Sequence, residues 1–214
     1  MKNNLFTILL ISLLAIACNN QEKPKVFDYG RVENMKYINS YFDFEITLPD
    51  NWKVQSKEQL NDINNKGRDL IAGDNETMKT FLKASEINSA FLLSANQYEV
   101  GAPVDFNPSI AIVAENIKNS PGIKSGSDYL FQVRKLLKQS QVKYDYTDSV
   151  FSKETINKMD VYKMNAELTN MGLNIKQIYY SSILKGFSLG IIISFNNDQQ
   201  KAELLKSVAS LKFK

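Results

Sequence analysis

An α+β fold, with a mainly antiparallel sheet flanked by helices in an α/β/α sandwich, is predicted by three observations. First, Phe42, Phe44, Ile46 and Leu48 alternate with Asp43, Glu45 and Thr47, and Phe187, Leu189, Ile191, Ile193 and Phe195 repeat the same period of two. That spacing puts the apolar side chains on one face of a strand. Second, other stretches carry apolar residues at helical spacing behind capping residues, as at Ser56 with Gln59 and Asn197 with Gln200. Third, Lys143 to Phe195 reads as a four-strand meander whose turns fall near Asn157-Lys158, Asn170-Met171-Gly172 and Lys185-Gly186. Connections this short join antiparallel neighbours, because a parallel pair needs a long crossover.

The elements follow in order. After the strand at Phe42 to Leu48, Pro49-Asp50-Asn51 makes a turn, and Trp52 and Val54 resume the alternation. A helix opens at Ser56, places Leu60, Ile63, Leu70 and Ile71 inward and ends at Gly73. Asp74 is the expected cap of a second, short helix carrying Met78, Phe81 and Leu82. Strands are predicted around Ala90 to Tyr98 and Ser109 to Ile117. Gly101-Ala102-Pro103 and Asn107-Pro108 mark the loop between them. The third helix presents Tyr129, Leu130, Val133, Leu136 and Leu137 as an apolar stripe, with Arg134, Lys135 and Lys138 opposite. The last helix is expected to turn Ala202, Leu205, Val208 and Ala209 inward.

The start of the chain bears on its location. An apolar run from Leu5 to Ala17, broken only by Thr7 and Ser12, follows Lys2. As a helix it spans about 20 Å, short of the ~30 Å hydrocarbon core, so it fits a signal-peptide core better than a membrane span. Leu14-Ala15-Ile16-Ala17-Cys18 resembles the lipobox of bacterial lipoprotein signal peptides, with Ala15 where that pattern prefers leucine. The resemblance implies cleavage before Cys18 and lipidation of its sulfur. An ordinary secretory site at Ala15-Ile16-Ala17 is the plainer reading. Against it, Cys18 is the only cysteine, so it cannot be half of an internal disulfide. One acyl chain anchors marginally and two or more hold firmly. The expected organisation is a lipoprotein signal peptide at 1–17, a lipidated N-terminus and flexible tether at 18–36, and a single globular domain at 37–214. Asn19 is not the aspartate of inner-membrane retention, and Glu22 alone does not make an acidic surface-export cluster. An outer-membrane location facing the periplasm is therefore expected.

Composition narrows the chemistry. The chain has no histidine and a formal net charge of +3. Histidine triads, cysteine nucleophiles and the usual zinc sites are excluded together, and nucleic acid is not an expected partner. No cofactor, metal or catalytic residue is expected.

Two segments carry a further resemblance. Tyr41-Phe42-Asp43-Phe44-Glu45-Ile46-Thr47-Leu48-Pro49-Asp50-Asn51-Trp52 is similar to the F-x-I-x-L-P-x-x-W opening of PsbP-like domains. Ser207-Val208-Ala209-Ser210-Leu211-Lys212-Phe213 is similar to their helix-to-strand ending. The resemblance implies a PsbP-like sandwich and a role in binding or assembly without an active site.

Other constellations have plain readings. Trp52 is expected to pack against the sheet. Asp145, Asp148 and Glu154 lack the spacing of a calcium loop, and Gly122 to Gly126 lacks that of a phosphate loop. Tyr144, Tyr146, Tyr162, Tyr179 and Tyr180 either line a groove for a ligand or pack as core. The expected function is a non-enzymatic envelope lipoprotein, held to the membrane through lipid on Cys18 and binding a protein partner. The alternative is an envelope hydrolase using a carboxylate pair or a serine. Cys18→Ala is expected to abolish acylation and leave the precursor unprocessed, read by mass spectrometry of membrane fractions.

Overall fold

A computed structural model describes residues 27–214. The predicted signal peptide, Cys18 and the tether up to residue 26 lie outside the described residues. The fold begins at Phe27, earlier than the boundary expected at Tyr37. β1 (Arg31–Glu33) and β2 (Lys36–Asn39) form a hairpin through Asn34 and Met35, both at positive φ. The Phe27 ring packs on Tyr41, Phe42 and Phe187. Residues 27–36 are therefore folded, although their scattered apolar residues give no clear period.

A four-stranded sheet has the order β1-β2-β3-β12, where β3 is Phe44–Thr47 and β12 is Lys212–Phe213. A larger sheet contains β4 (Lys53–Val54), β5 (Ser89–Asn96), β6 (Ser109–Asn116), β7 (Tyr146–Thr147), β8 (Ser152–Ile156), β9 (Met159–Asn170), β10 (Leu173–Leu184) and β11 (Phe187–Phe195). Its order is β4-β5-β6-β11-β10-β9-β7, with β8 also on β9, and all its pairings are antiparallel. The expected meander is present. Its turns put Asn157-Lys158, Met171-Gly172 and Lys185-Gly186 at positive φ, the backbone of two-residue hairpins that follow the sheet's twist.

The first strand of that meander is broken into β7 and β8. Asp148 causes the break: its Oδ2 accepts the Asn165 N–H at 2.7 Å, and its own N–H donates to the Asn165 carbonyl at 2.9 Å. A side chain thus replaces a strand neighbour for one residue of β9.

The main core lies between the small sheet and one face of the large one. Phe42, Phe44, Ile46 and Leu48 meet Ile110, Ile112, Ile191 and Ile193 there, and Trp52 is buried with them as expected. α4 (Asp198–Ala209) completes this layer through Leu204 and Val208. Its stripe is Leu204, Ser207 and Val208, and Ala202 and Ala209 are exposed, contrary to expectation. Burying leucine removes more apolar surface from water than burying alanine, so Leu204 sets the rotation.

Three helices serve the remainder. α1 (Lys57–Ala72) has the expected Ser56–Gln59 capping box and Gly73 end, yet Leu70 is 66% exposed and Ile63 36%. Leu60 and Ile71, three turns apart on one face, turn partly inward, and the face that carries Ile63 and Leu70 stays in solvent. α2 (Glu76–Asn88) is longer than expected and capped by Asn75, whose Oδ1 accepts the Met78 N–H, not by Asp74. α3 (Gly126–Gln139) opens with a Ser125–Asp128 capping box and covers a second core of Leu130, Leu137, Met164, Ala166 and Tyr179.

α3 reaches the sheet because its first residue lacks a side chain. A β-carbon on Gly126 would stand 2.2 Å from the Ser181 carbonyl oxygen, whereas one on Gly67 in α1 would meet nothing within 4 Å. Urea unfolding is expected to separate the two sites by sign. Gly67→Ala should stabilise by about 0.5–1 kcal/mol, the helix preference for alanine, and Gly126→Ala should destabilise by lifting α3 off Ser181.

Candidate functional site

The tyrosine-rich meander is the candidate site, and the pleat of β10 decides its layout. Successive strand residues point to opposite faces. Tyr180 joins the main core, and Tyr179 joins the second core beneath α3. For Tyr179 and Tyr180 the core reading therefore holds.

The buried members form a polar ladder. Tyr179 Oη donates to Gln177 Oε1 at 2.7 Å, and Tyr144 Oη donates to the same oxygen at 2.9 Å. The two hydroxyls are 3.2 Å apart. Gln177 Nε2 in turn donates to Ser194 Oγ at 3.1 Å, carrying the chain of bonds across to β11. Register makes this possible, because Gln177 faces Ser194 on one side and Ala166 on the other. Burial pushes the Tyr144 and Tyr179 hydroxyls above the ordinary phenol range, Tyr179 the further, with the neighbouring Tyr144 adding to its rise. These rings are structural.

Tyr146 is the exposed member, at 52%. Its Oη donates to Asp148 Oδ1 at 2.7 Å, while Asp148 Oδ2 also accepts from Asn165 Nδ2 at 2.8 Å. The Tyr146 hydroxyl rises above its usual range through this bond and the Asp148 charge. Two open clefts flank the ring. One, of about 400 Å³, lies below the end of α3 against Val142, Lys143 and Tyr144. The other, of about 420 Å³, runs from Asp148 and Glu167 across Lys176 to Phe195 and Lys201 on α4. Lys201 Nζ sits 5.9 Å from the Phe195 ring centre.

An aromatic and cationic stack borders the Asp148 break. The Arg134 guanidinium lies 5.3 Å from the Phe131 ring centre and 5.0 Å from that of Phe151. It donates to the carbonyls of Ser149 at 2.6 Å and Asp148 at 3.1 Å. The edge strand is thereby tied to α3, and half-exposed Phe131 and exposed Val150 stand beside it.

Sequence motifs distribute unevenly over this geometry. Cys18, the predicted lipidation site, lies outside the described residues. Asp148 and Glu154 are separated in role, since Glu154 pairs with Lys163. Gly122 to Gly126 serves as the lead-in to α3, with Ser125 as its cap. Two carboxylates, Asp148 and Glu167, line one cleft, and three donors converge on Asp148. Gln177 and Arg134 escaped sequence reasoning. Arg134 reads as one charge of a polar helix face, and only the long-range approach of Phe151 reveals its second task.

No family model matches the chain, and no curated protein does. Among solved structures it is similar to a protein of Bacteroides thetaiotaomicron VPI-5482, with 12% identity and a TM-score of 0.41 over 86% of this chain and 49% of that one. The chain thus spans about half the length of that relative. It is similar to the cyanobacterial PsbP protein CyanoP of Synechocystis sp. PCC 6803, with 10% identity and a TM-score of 0.48 over 86% of this chain and 98% of that one. It is also similar to LpqN, involved in cell envelope biogenesis of Mycobacterium tuberculosis, with 10% identity and a TM-score of 0.39 over 79% and 82% of the two chains.

The buried tyrosines are expected to make the fold lose stability at alkaline pH. Above about pH 10 the unfolded chain releases phenol protons that the folded chain keeps, so their contribution, complete below that pH, is lost as pH rises through the folded values. Each such group steepens the loss by up to about 1.4 kcal/mol per pH unit. Tyr144→Phe with Tyr179→Phe is expected to flatten the alkaline limb of stability, measured by urea unfolding between pH 9 and pH 12.

Proposed function

We propose that this protein is an envelope lipoprotein, acylated on Cys18, that acts as a non-enzymatic binding or assembly module for a protein partner on the periplasmic side of the outer membrane. The observation that carries this reading is the state of the polar groups around Tyr146. The Asp148 carboxylate accepts from Tyr146, the Asn165 backbone and the Asn165 side chain, so it is occupied in holding the edge of the sheet. Both clefts beside it are open to solvent, and a half-exposed tyrosine stands between them. An exposed aromatic ring on a rigid strand, bordered by mixed charge, is the chemistry of a protein contact, where tyrosine anchors are enriched.

Among the described residues no helix is long and apolar enough to cross a membrane. Attachment in this reading falls to Cys18.

A photo-crosslinking residue at Tyr146 in the full-length protein, expressed in its own cells, tests the proposal. A discrete adduct is expected from position 146 and none from Lys158 at the opposite end of the sheet. Lys201→Glu should weaken the adduct by changing the cleft's charge. Turnover of an envelope substrate by purified protein, lost in Asp148→Asn with the fold intact, would instead establish the hydrolase.

A further inference from the structure

We infer that the large sheet stands end-on to the lipid surface, with its Asn157-Lys158 and Lys185-Gly186 turns toward the membrane and the Tyr146 clefts at the far end. The inference rests on the lipid reading of Cys18 and adds to it a direction.

The point where the chain enters the fold is fixed. Phe27 lies 4.7 Å from the Tyr41 ring centre and 5.8 Å from that of Phe187. Phe187 pairs with Leu184 at the β10–β11 turn, and Ile156 pairs with Met159 at the β8–β9 turn. These turns share one end of the sheet, because Tyr162 near the start of β9 faces Ser181 near the end of β10. Lys185 fastens the entry point to this end, donating to the Tyr41 carbonyl and to Asp43 Oδ2, both at 2.6 Å. Tyr146 pairs with Glu167 near the other end of β9, beside the Met171-Gly172 turn.

Chain length then favours one orientation. β10 contains 12 residues, so the two ends of the sheet are about 40 Å apart at ~3.4 Å per residue. Nine residues, 18 to 26, connect Cys18 to Phe27 and reach at most about 32 Å when fully extended. Tyr146 pairs with Glu167, which faces Lys176, so the clefts stand only eight residues, about 27 Å, from the Leu184 end. A molecule standing with its clefts on the membrane would need the connection drawn out close to its limit. Near-full extension costs the chain most of its conformational entropy, and the opposite stance does not.

Charge favours the upright stance over one lying flat. Lys118, Lys124 and Lys158 are exposed at the turn end, and Lys23 and Lys25 lie in the connecting stretch. Ile117 N–H donates to the Gly186 carbonyl at 3.1 Å, which sets Lys118 beside the turn. Two nearby carboxylates have cations of their own, Asp43 from Lys185 and Asp160 from Lys153, while Asp28 and Asp128 accept from backbone N–H groups and from Ser40 and Ser125. An anionic headgroup layer is the complementary surface.

Because Cys18 is the only cysteine, acylated protein offers no other thiol, and a cysteine introduced elsewhere can be labelled alone. Full-length acylated K158C and M171C proteins would be placed in vesicles of phosphatidylethanolamine and phosphatidylglycerol containing an acceptor lipid. Energy transfer from a donor at position 158 is expected to exceed that from position 171 several-fold. Equal or reversed transfer from vesicle-bound protein would overturn the orientation. Adding K118E and K124E should lower transfer from position 158, and unchanged transfer would overturn the contact with anionic lipid. Failure of the lipid reading is separate: the C18A protein would then float with the vesicles as fully as wild type.

Discussion

The pleat of β10 is the constraint on which the rest of the molecule depends. Tyr179 and Tyr180 leave the backbone on opposite sides, and each is buried. One strand thereby demands a covering layer on both faces. The small sheet and α4 meet the demand of Tyr180, and α3 meets that of Tyr179. A single-residue slip in the β9–β10 register would exchange the two faces and put Gln177 and Ser181 into the main core. The tight turns at Asn157-Lys158, Met171-Gly172 and Lys185-Gly186 protect the register by giving each hairpin one geometry.

The second face is held by polar means as much as by apolar ones. Gln177 satisfies two phenols and a serine with one amide, and Ser181 Oγ and Ser188 Oγ lie 3.0 Å apart on neighbouring strands. Buried groups of this kind cost free energy unless they are paired, so they admit few alternative arrangements. α3 contributes Leu130 and Leu137 over the ladder and reaches the sheet at Gly126, where backbone approaches backbone. The layer is thin, and its order comes from specific partners.

Much of this was legible in the residues. The Phe42–Leu48 alternation, the Phe187–Phe195 face, the three meander turns and the Ser56 and Asn197 caps all follow from local chemistry, and local chemistry is what a sequence displays. The rotation of α4 was not legible, since Ala202 and Ala209 keep helical spacing as well as Leu204 does. Choosing between them requires knowledge of what lies opposite. The β1–β2 hairpin was hidden for a related reason: Asn34 and Met35 make an uncommon turn pair, and Phe27 finds its partners only across the fold. At the candidate site Tyr146 was named but its exposure was not, because exposure follows from the break at Asp148. Gln177 and Arg134 act through residues distant in the chain, beyond the reach of any spacing rule.

The break at Asp148 also has a bearing on solubility. An uninterrupted strand from Tyr146 to Ile156 would present a long row of unpaired backbone donors and acceptors along the outer side of the large sheet. Such rows are templates for the growth of sheets between molecules. Here the row is cut into pieces of two and five residues, with charged Lys153 and Glu154 on the longer one. An edge cut in this way gives a neighbouring copy little to extend.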